Sequence, residues 1–239
     1  KSPEYIFKNK GMSLEEFKEI FFWEYFHRLW GRLIGIIFII PLLFFIIVKK
    51  IHKSILSKLF LILFLGGLQG FIGWWMVKSG LVNDPTVSQY RLTIHLSNAL
   101  LILSLLIWVY LDVKEGVSQI KPDFSFFMFS ILFITIIAGA FVAGMDAGLM
   151  YNEYPFMGDS LIPENYGEYQ LLDPFENPAS AQFHHRHLAL FTTLCTLFYC
   201  YKYYFESEDK KVKKLSLLIS ILVCLSLIHI SEPTRRRGI

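Results

Sequence analysis

The sequence predicts an all-α protein, a polytopic bundle of membrane helices. Three observations carry this. Of 239 residues, 54% are hydrophobic and only 18% charged, against about 45–50% and about 25% in a soluble domain; mean hydropathy is +0.46. The apolar residues fall in runs close to the roughly 20 residues that a membrane helix needs. Lys and Arg gather in alternate connecting loops, which sets an orientation. Barrel strands would alternate apolar and polar residues over about ten positions, whereas these runs are apolar on all sides. The net charge of +3 is too small for a nucleic-acid-binding face. Cys195, Cys200 and Cys224 lie in apolar runs, so no disulfide framework is readable.

The elements follow in order. Ser13 and Glu16 have the spacing of a capping box, so a helix starts there, runs along the outer surface and enters the first span through Phe21, Phe22 and Trp23. Five spans are expected at Leu29–Val48, Leu59–Val77, Leu92–Leu111, Phe126–Met150 and His187–Tyr204, with a shorter sixth at Leu215–Ile230. The loops after the first, third and fifth spans hold the basic residues: Lys49, Lys50, Lys53 and Lys58; Lys114 and Lys121; Lys202, Lys210, Lys211, Lys213 and Lys214. These loops face the cytoplasm or matrix. The stretch from Tyr151 to Ser180 has no Lys or Arg and carries Glu153, Asp159, Glu164, Glu168, Asp173 and Glu176, so it faces out. The N-terminal stretch then lies outside despite its four Lys. The division expected is 1–28 as outer loop and surface helix, 29–111 as one half-bundle and 112–230 as the other. Residues 231–239, SEPTRRRGI, resemble translated vector sequence and are set aside as a non-native tail.

Five of the seven histidines group at three places: His27, His95, and the trio His184, His185 and His187. On the expected topology His27, His95 and His185 reach the outer ends of three different spans. Ionisable groups in membrane helices are costly and mark sites; the alternative for any one of them is an interfacial residue bonded to a headgroup. Neutral imidazoles from facing helices suit axial ligation of haem iron. Haem propionates need cations, and Arg28, Arg32, Arg91 and Arg186 stand beside or one turn from these histidines. Two ring nitrogens sharing one iron would lie on the order of 4 Å apart. Zinc is less apt, because neither HExxH nor CxxC occurs. The small-residue pairs Gly31/Gly35 and Gly66/Gly70, and the series Ala140/Gly144/Gly148, predict close helix packing, or else contact with a flat ligand.

Two segments match each other: Glu24-Tyr25-Phe26-His27-Arg28 and Gln182-Phe183-His184-His185-Arg186. Each precedes a span entered from outside, as in a duplicated half. The match makes His185 the counterpart of His27. Glu24, one turn before His27, is a candidate catalytic group that can move a proton or stabilise a developing cation; Gln182 cannot ionise. The plainer reading of Glu24 is an ion pair with Arg28, and the two are compatible.

With these motifs in place, the chain resembles the haem A synthase family. The resemblance is carried by PEYIFKN, LEEFKEIFFWEYFHRLWGRLIG, QGFIGWWMVKSGL, VSQYRLTIHL, GAFVAGMDAGLMYNEYPFM and NPASAQFHHRHLA, from Pro3 to Ala189. Their form is closest to the proteobacterial and mitochondrial branch. The resemblance implies eight helices in two four-helix halves, of which this chain lacks the first and last. It implies that His27 and His95 hold the substrate, haem O, in the first half. His185 is implied to be one ligand of haem b in the second, its partner on the absent helix. It implies Glu24 as the catalytic residue and oxidation of the C8 methyl of haem O to a formyl group, with oxygen from water, for cytochrome c oxidase biogenesis. The partners implied are haem O, the haem O synthase that supplies it, an electron acceptor that the sequence does not identify, and the lipid bilayer. A homo-oligomer stays open. The membrane is the bacterial inner membrane or the mitochondrial inner membrane, with the histidines near its periplasmic or intermembrane side. A non-enzymatic b-type cytochrome with two axial His is the alternative, although it leaves the Glu24/Gln182 difference unused. A transporter would need more helix breaks than Pro41 provides, and haem O synthase itself would need an aspartate-rich DxxxD site that is absent.

Overall fold

The structure is a computed structural model that describes residues 10–80, 87–116, 119 and 122–231, without the side chains of 79, 80 and 227–231. The expected tail from 232 onward and Lys121 lie outside the described residues. Among those described there is no strand. The chain divides into two compact units, Lys1–Ile120 and Lys121–Ile239.

The first unit contains α1 (Leu14–Ile47), α2 (Lys53–Gly80) and α3 (Gln89–Glu115). The capping box that starts α1 is complete. The Ser13 N–H donates to Glu16 Oε2 at 2.8 Å and the Glu16 N–H donates to Ser13 Oγ at 3.3 Å. From there α1 runs unbroken for 34 residues, roughly 50 Å at about 1.5 Å per residue. It therefore crosses the expected boundary at residue 28, and surface segment and span are one helix. Most of α1 is apolar and exposed within the chain, with Leu42 buried.

The main packing of this unit is α2 against α3. Its outer half is described with the site below. At its basic end Lys58 Nζ meets Asp112 Oδ2 at 2.6 Å, with the two side chains 17% and 11% exposed. The same ammonium lies 3.9 Å from the Trp108 ring centroid. Neither charge could sit there alone, because a charge taken out of water needs a partner. Gly116, left-handed at φ 69°, closes α3, its N–H reaching the Asp112 and Leu111 carbonyls.

The second unit contains α4 (Phe124–Gly144), a one-turn α5 (Asp173–Glu176), α6 (Pro178–Glu206) and α7 (Lys210–Ser231). Asp123 caps α4 by accepting from the Phe126 N–H at 3.1 Å. The expected fourth span ran to Met150, but α4 stops at Gly144. Asp146 takes a left-handed conformation, φ 54°, and a 3-10 turn, Ala147–Leu149, follows. The apolar character of Gly144–Met150 therefore belongs to a turn that buries Ala147 and Val142 against Ala181. Hydroxyl pairs join α4 to α6: Thr135 Oγ1 to Thr192 Oγ1 at 2.7 Å and Ser125 Oγ to Tyr199 OH at 2.9 Å. Asn177 caps α6, its Oδ1 accepting from the Ala179 and Ser180 N–H groups at 3.0 and 3.4 Å.

By length and composition α1, α2, α3 and α4 can each cross a membrane. The expected fifth and sixth spans lie within α6 and α7. The first three turns of α6 carry Ser180, Gln182, His184, His185, Arg186 and His187, so its apolar stretch starts only after them.

Truncating one partner of the inner ion pair should be costly. Asp112→Ala is expected to lower stability in detergent by about 3–5 kcal/mol, while the double variant Lys58→Met/Asp112→Leu regains most or all of it. Thermal unfolding of the single and double variants measures the difference.

Candidate functional site

In the first unit α1 and α3 bring His27 and His95 together. Their ring centroids are 6.4 Å apart and their planes 64° from parallel. Two imidazoles bonded to opposite faces of one iron at about 2 Å each would have centroids roughly 6 Å apart. The spacing therefore fits one shared iron.

Helix α2 holds His95 in place. Asn98 donates to the Leu65 carbonyl at 3.1 Å and to Gln69 Oε1 at 2.7 Å. That fixes which end of the Gln69 amide faces which neighbour. Its Nε2 then gives one proton to the His95 carbonyl at 3.1 Å and sits 3.3 Å from His95 Nε2. His95 Nδ1 is buried and makes no hydrogen bond. A buried polar atom without a partner is rare in a folded protein and calls for a reason. Ligation to a metal satisfies Nδ1 in the tautomer whose proton sits on Nε2; donation from Gln69 to Nε2 instead puts the proton on Nδ1.

The other residues expected near this pair are placed as follows. Glu24 and Arg28 form an ion pair, and Arg28 Nε also donates to the Glu24 carbonyl at 3.3 Å. Both side chains are 51% exposed, so the pair orients the carboxylate more than it stabilises the helix. The Arg91 guanidinium carbon lies 4.9 Å from the Trp75 ring centroid, a cation–π contact that ties the start of α3 to α2. Arg32 is exposed on α1.

In the second unit His185 faces α4. Its Nδ1 is buried without a hydrogen bond, and its ring approaches α4 at Gly139. One imidazole with an unpartnered nitrogen can supply one ligand to a metal.

The outer loop between α4 and α6 is bound to α6 by residues that sequence reasoning assigned otherwise or missed. Arg186 was expected beside a propionate. Its side chain is 6% exposed, and it donates from Nη1 to the Glu153 and Phe156 carbonyls at 3.2 and 3.3 Å and from Nη2 to the Tyr151 carbonyl. It clamps the loop. Gln182 does the same: its Oε1 accepts from the Tyr151 N–H at 3.2 Å and its Nε2 donates to the Gly148 and Tyr151 carbonyls at 3.3 and 3.0 Å. The polar contrast between Glu24 and Gln182 is thus one between an exposed carboxylate and a buried loop clamp.

Asp173, unremarked in the sequence beyond its charge, is the hub of this loop at 2% exposure. Burial alone would push its carboxyl up. The Ser180 hydroxyl, the Tyr169 and Gly167 N–H groups at 3.0 and 2.8 Å and the Asn177 amide at 3.2 Å outweigh that and lower it to about 2.

The expected small-residue contacts are different. At Gly31, Gly35, Gly66 and Gly70 nothing among the described residues lies within 4 Å of where a Cβ would stand, so within this unit these pairs do not seat a described neighbouring helix. The close approaches occur at Gly73 and Gly139.

Residues 1–229 match the family described as cytochrome oxidase assembly protein. The chain belongs to the haem A synthase family. It is 47% identical over 204 residues to the haem A synthase of Granulibacter bethesdensis, covering 82% of this chain and 54% of that protein. To the haem A synthase of Nitrosospira multiformis it is 46% identical over 201 residues, 79% of this chain and 56% of that one. To that of the Wolbachia of Brugia malayi it is 41% identical over 236 residues, 95% of this chain and 70% of that one. The chain spans about half the length of the first two. No solved structure matches it. Family and apolar helices together make this haem A synthase relative an integral membrane protein.

The Asp173 hub sets a pH limit on the outer loop. A carboxyl lowered on folding stabilises the fold above its unfolded value, near pH 4, and that contribution is lost as pH falls toward 2. Hydrogen exchange of the Gly167 and Tyr169 amides is expected to accelerate across that window. In Asp173→Asn it should already be fast at neutral pH.

Proposed function

We propose that this haem A synthase relative binds haem O between His27 and His95 and takes part in oxidising its C8 methyl group to a formyl group. The observation that supports this most directly is the 6.4 Å spacing of the two rings, together with the buried, unpartnered nitrogen on His95. The relatives' names place them in haem A formation, and the membrane setting suits an apolar macrocycle.

The conversion of the methyl group and one water to the formyl group releases four electrons and four protons, two of the protons from the methyl group and two from the water, and the water's oxygen stays on the carbon. The first water addition gives a hydroxymethyl group and the second two-electron step the aldehyde. Positive charge develops beside the ring as electrons leave. Glu24, one turn before His27 and held by Arg28, is the anionic group that can stabilise that charge or accept a proton from the attacking water. Arg91, already committed to the Trp75 face, and Arg28 and Arg32 on α1 are the cations available to propionates. His185 would ligate haem b in the second unit. When bound, that haem supplies an electron path to an external acceptor. Haem O synthase would deliver the substrate, and the histidines would open toward the periplasmic or intermembrane side.

Expression of the full-length protein with haem O synthase, in cells lacking their own haem A synthase, tests this. Extracted haem from the wild type should contain haem A. In Glu24→Ala, haem O should accumulate and the rate of haem A formation fall by about 10²–10⁴-fold, the range of a positioned acid–base group. Persistence of haem O in both, with haem b bound, would instead identify an electron-carrying cytochrome.

A further inference from the structure

Gly73 and Gly139 stand apart from the other helical glycines described. A Cβ on Gly73 would lie 3.1 Å from His95 Cε1 and 3.7 Å from its Nδ1; one on Gly139 would lie 2.9 Å from His185 Cε1, 3.3 Å from Nε2 and 3.5 Å from Nδ1. At Gly31, Gly35, Gly66, Gly67 and Gly70 nothing lies within 4 Å of the same position. Two glycines on different helices therefore touch the same kind of atom, and each touches an imidazole that has one buried, unpartnered nitrogen.

One turn before Gly73 on the same helix, Gln69 reaches His95 Nε2 at 3.3 Å. One turn before Gly139, Thr135 pairs its hydroxyl with Thr192 on the helix that carries His185. In each unit the glycine lies on the long helix that precedes the histidine's own. Among the described glycines none has His27 among the atoms nearest its Cβ position. The structural repeat thus links His95 with His185, out of step with the sequence repeat that links His27 with His185.

We propose that Gly73 and Gly139 are positioning residues. Each leaves room for the Cε1 corner of an imidazole beside the helix and so fixes the direction in which its unpartnered nitrogen points. Iron–imidazole bonds have a narrow length and direction, so ring orientation decides whether a ligand is formed. A methyl group at Gly139 would stand 2.9 Å from a rigid ring on a short stem, so the ring must turn or the helices must part. At Gly73 it would stand 3.1 Å from the ring, which must give by a few tenths of an ångström. This rests on the haem-binding reading for its purpose but not for its geometry.

The test uses the full-length protein in detergent, with Gly73→Ala, Gly139→Ala and, as a control on the same helix, Gly70→Ala. Diethyl pyrocarbonate, which modifies free imidazole nitrogen, is applied to haem-free protein and read by peptide mass spectrometry. Gly73→Ala should speed modification of His95 alone and Gly139→Ala that of His185 alone, on the order of fivefold or more; Gly70→Ala should change neither. Ferric haem b is then added to the same proteins on a His185→Ala background, so that the spectrum reports the His27/His95 pair. The wild type and Gly70→Ala should give the low-spin spectrum of two axial imidazoles, and Gly73→Ala should lose or shift it. Unchanged modification rates in the two variants, or equal changes in Gly70→Ala, overturn the proposal. Altered rates with no low-spin spectrum even in the wild type would refute haem binding and leave the positioning role standing. If Gly73→Ala does not fold, Gly73→Ala/His95→Ala should, because the ring it collides with is gone; failure of the double variant also overturns the proposal.

Discussion

A ring nitrogen left without a partner inside a helix bundle is expensive, on the order of 1–3 kcal/mol for a buried polar group, and the described residues include two, on His95 and His185. Much of the surrounding structure keeps those nitrogens in place. Asn98 fixes Gln69, Gln69 fixes His95, and Gly73 lets the ring sit against α2. At the far end of the same helix pair, Lys58 and Asp112 neutralise each other beside Trp108. The α2–α3 contact is thus pinned by polar groups at both ends. In an apolar solvent, where burying Leu against Leu gains little, polar pairs and close backbone approach are what specify how helices meet.

The second unit solves a related problem at the water boundary. Its outer loop has no regular structure between the 3-10 turn after α4 and the short turns before α6, so its backbone groups need partners from elsewhere. Arg186, Gln182, Asn177 and Asp173 provide them, all from α6 or its entry. His185 sits among these clamps, between Gln182 and Arg186 in sequence. Whatever holds the loop also fixes the first turns of the helix that presents His185, which is how a loop without ligands of its own bears on the site.

The helices were legible because hydrophobic run length and loop charge are local signals. The Ser13 cap was legible for the same reason. The end of α4 was not, since Gly144–Met150 is apolar enough to extend a span and only the left-handed Asp146 stops it. Glycine spacing along one helix pointed to Gly31/Gly35 and Gly66/Gly70, but whether a glycine meets a neighbour depends on the rotation of two helices, which spacing does not encode. Arg186 was read by its charge and its place beside His185. Its turn toward carbonyls depends on the path of a loop that begins more than thirty residues earlier in the chain. The Asn177-Pro178 start of α6 is a cap signature that could have been read; the convergence on Asp173 could not.

The central claim is that His27 and His95 share one iron. Ferric haem b titrated into wild type, His27→Ala and His95→Ala, followed by low-temperature electron paramagnetic resonance, measures it most directly. With His185→Ala as the common background, the wild-type pair should bind one equivalent as low-spin iron. Loss of either histidine should leave five-coordinate, high-spin iron or no binding. A low-spin signal that survives both single substitutions would contradict the claim.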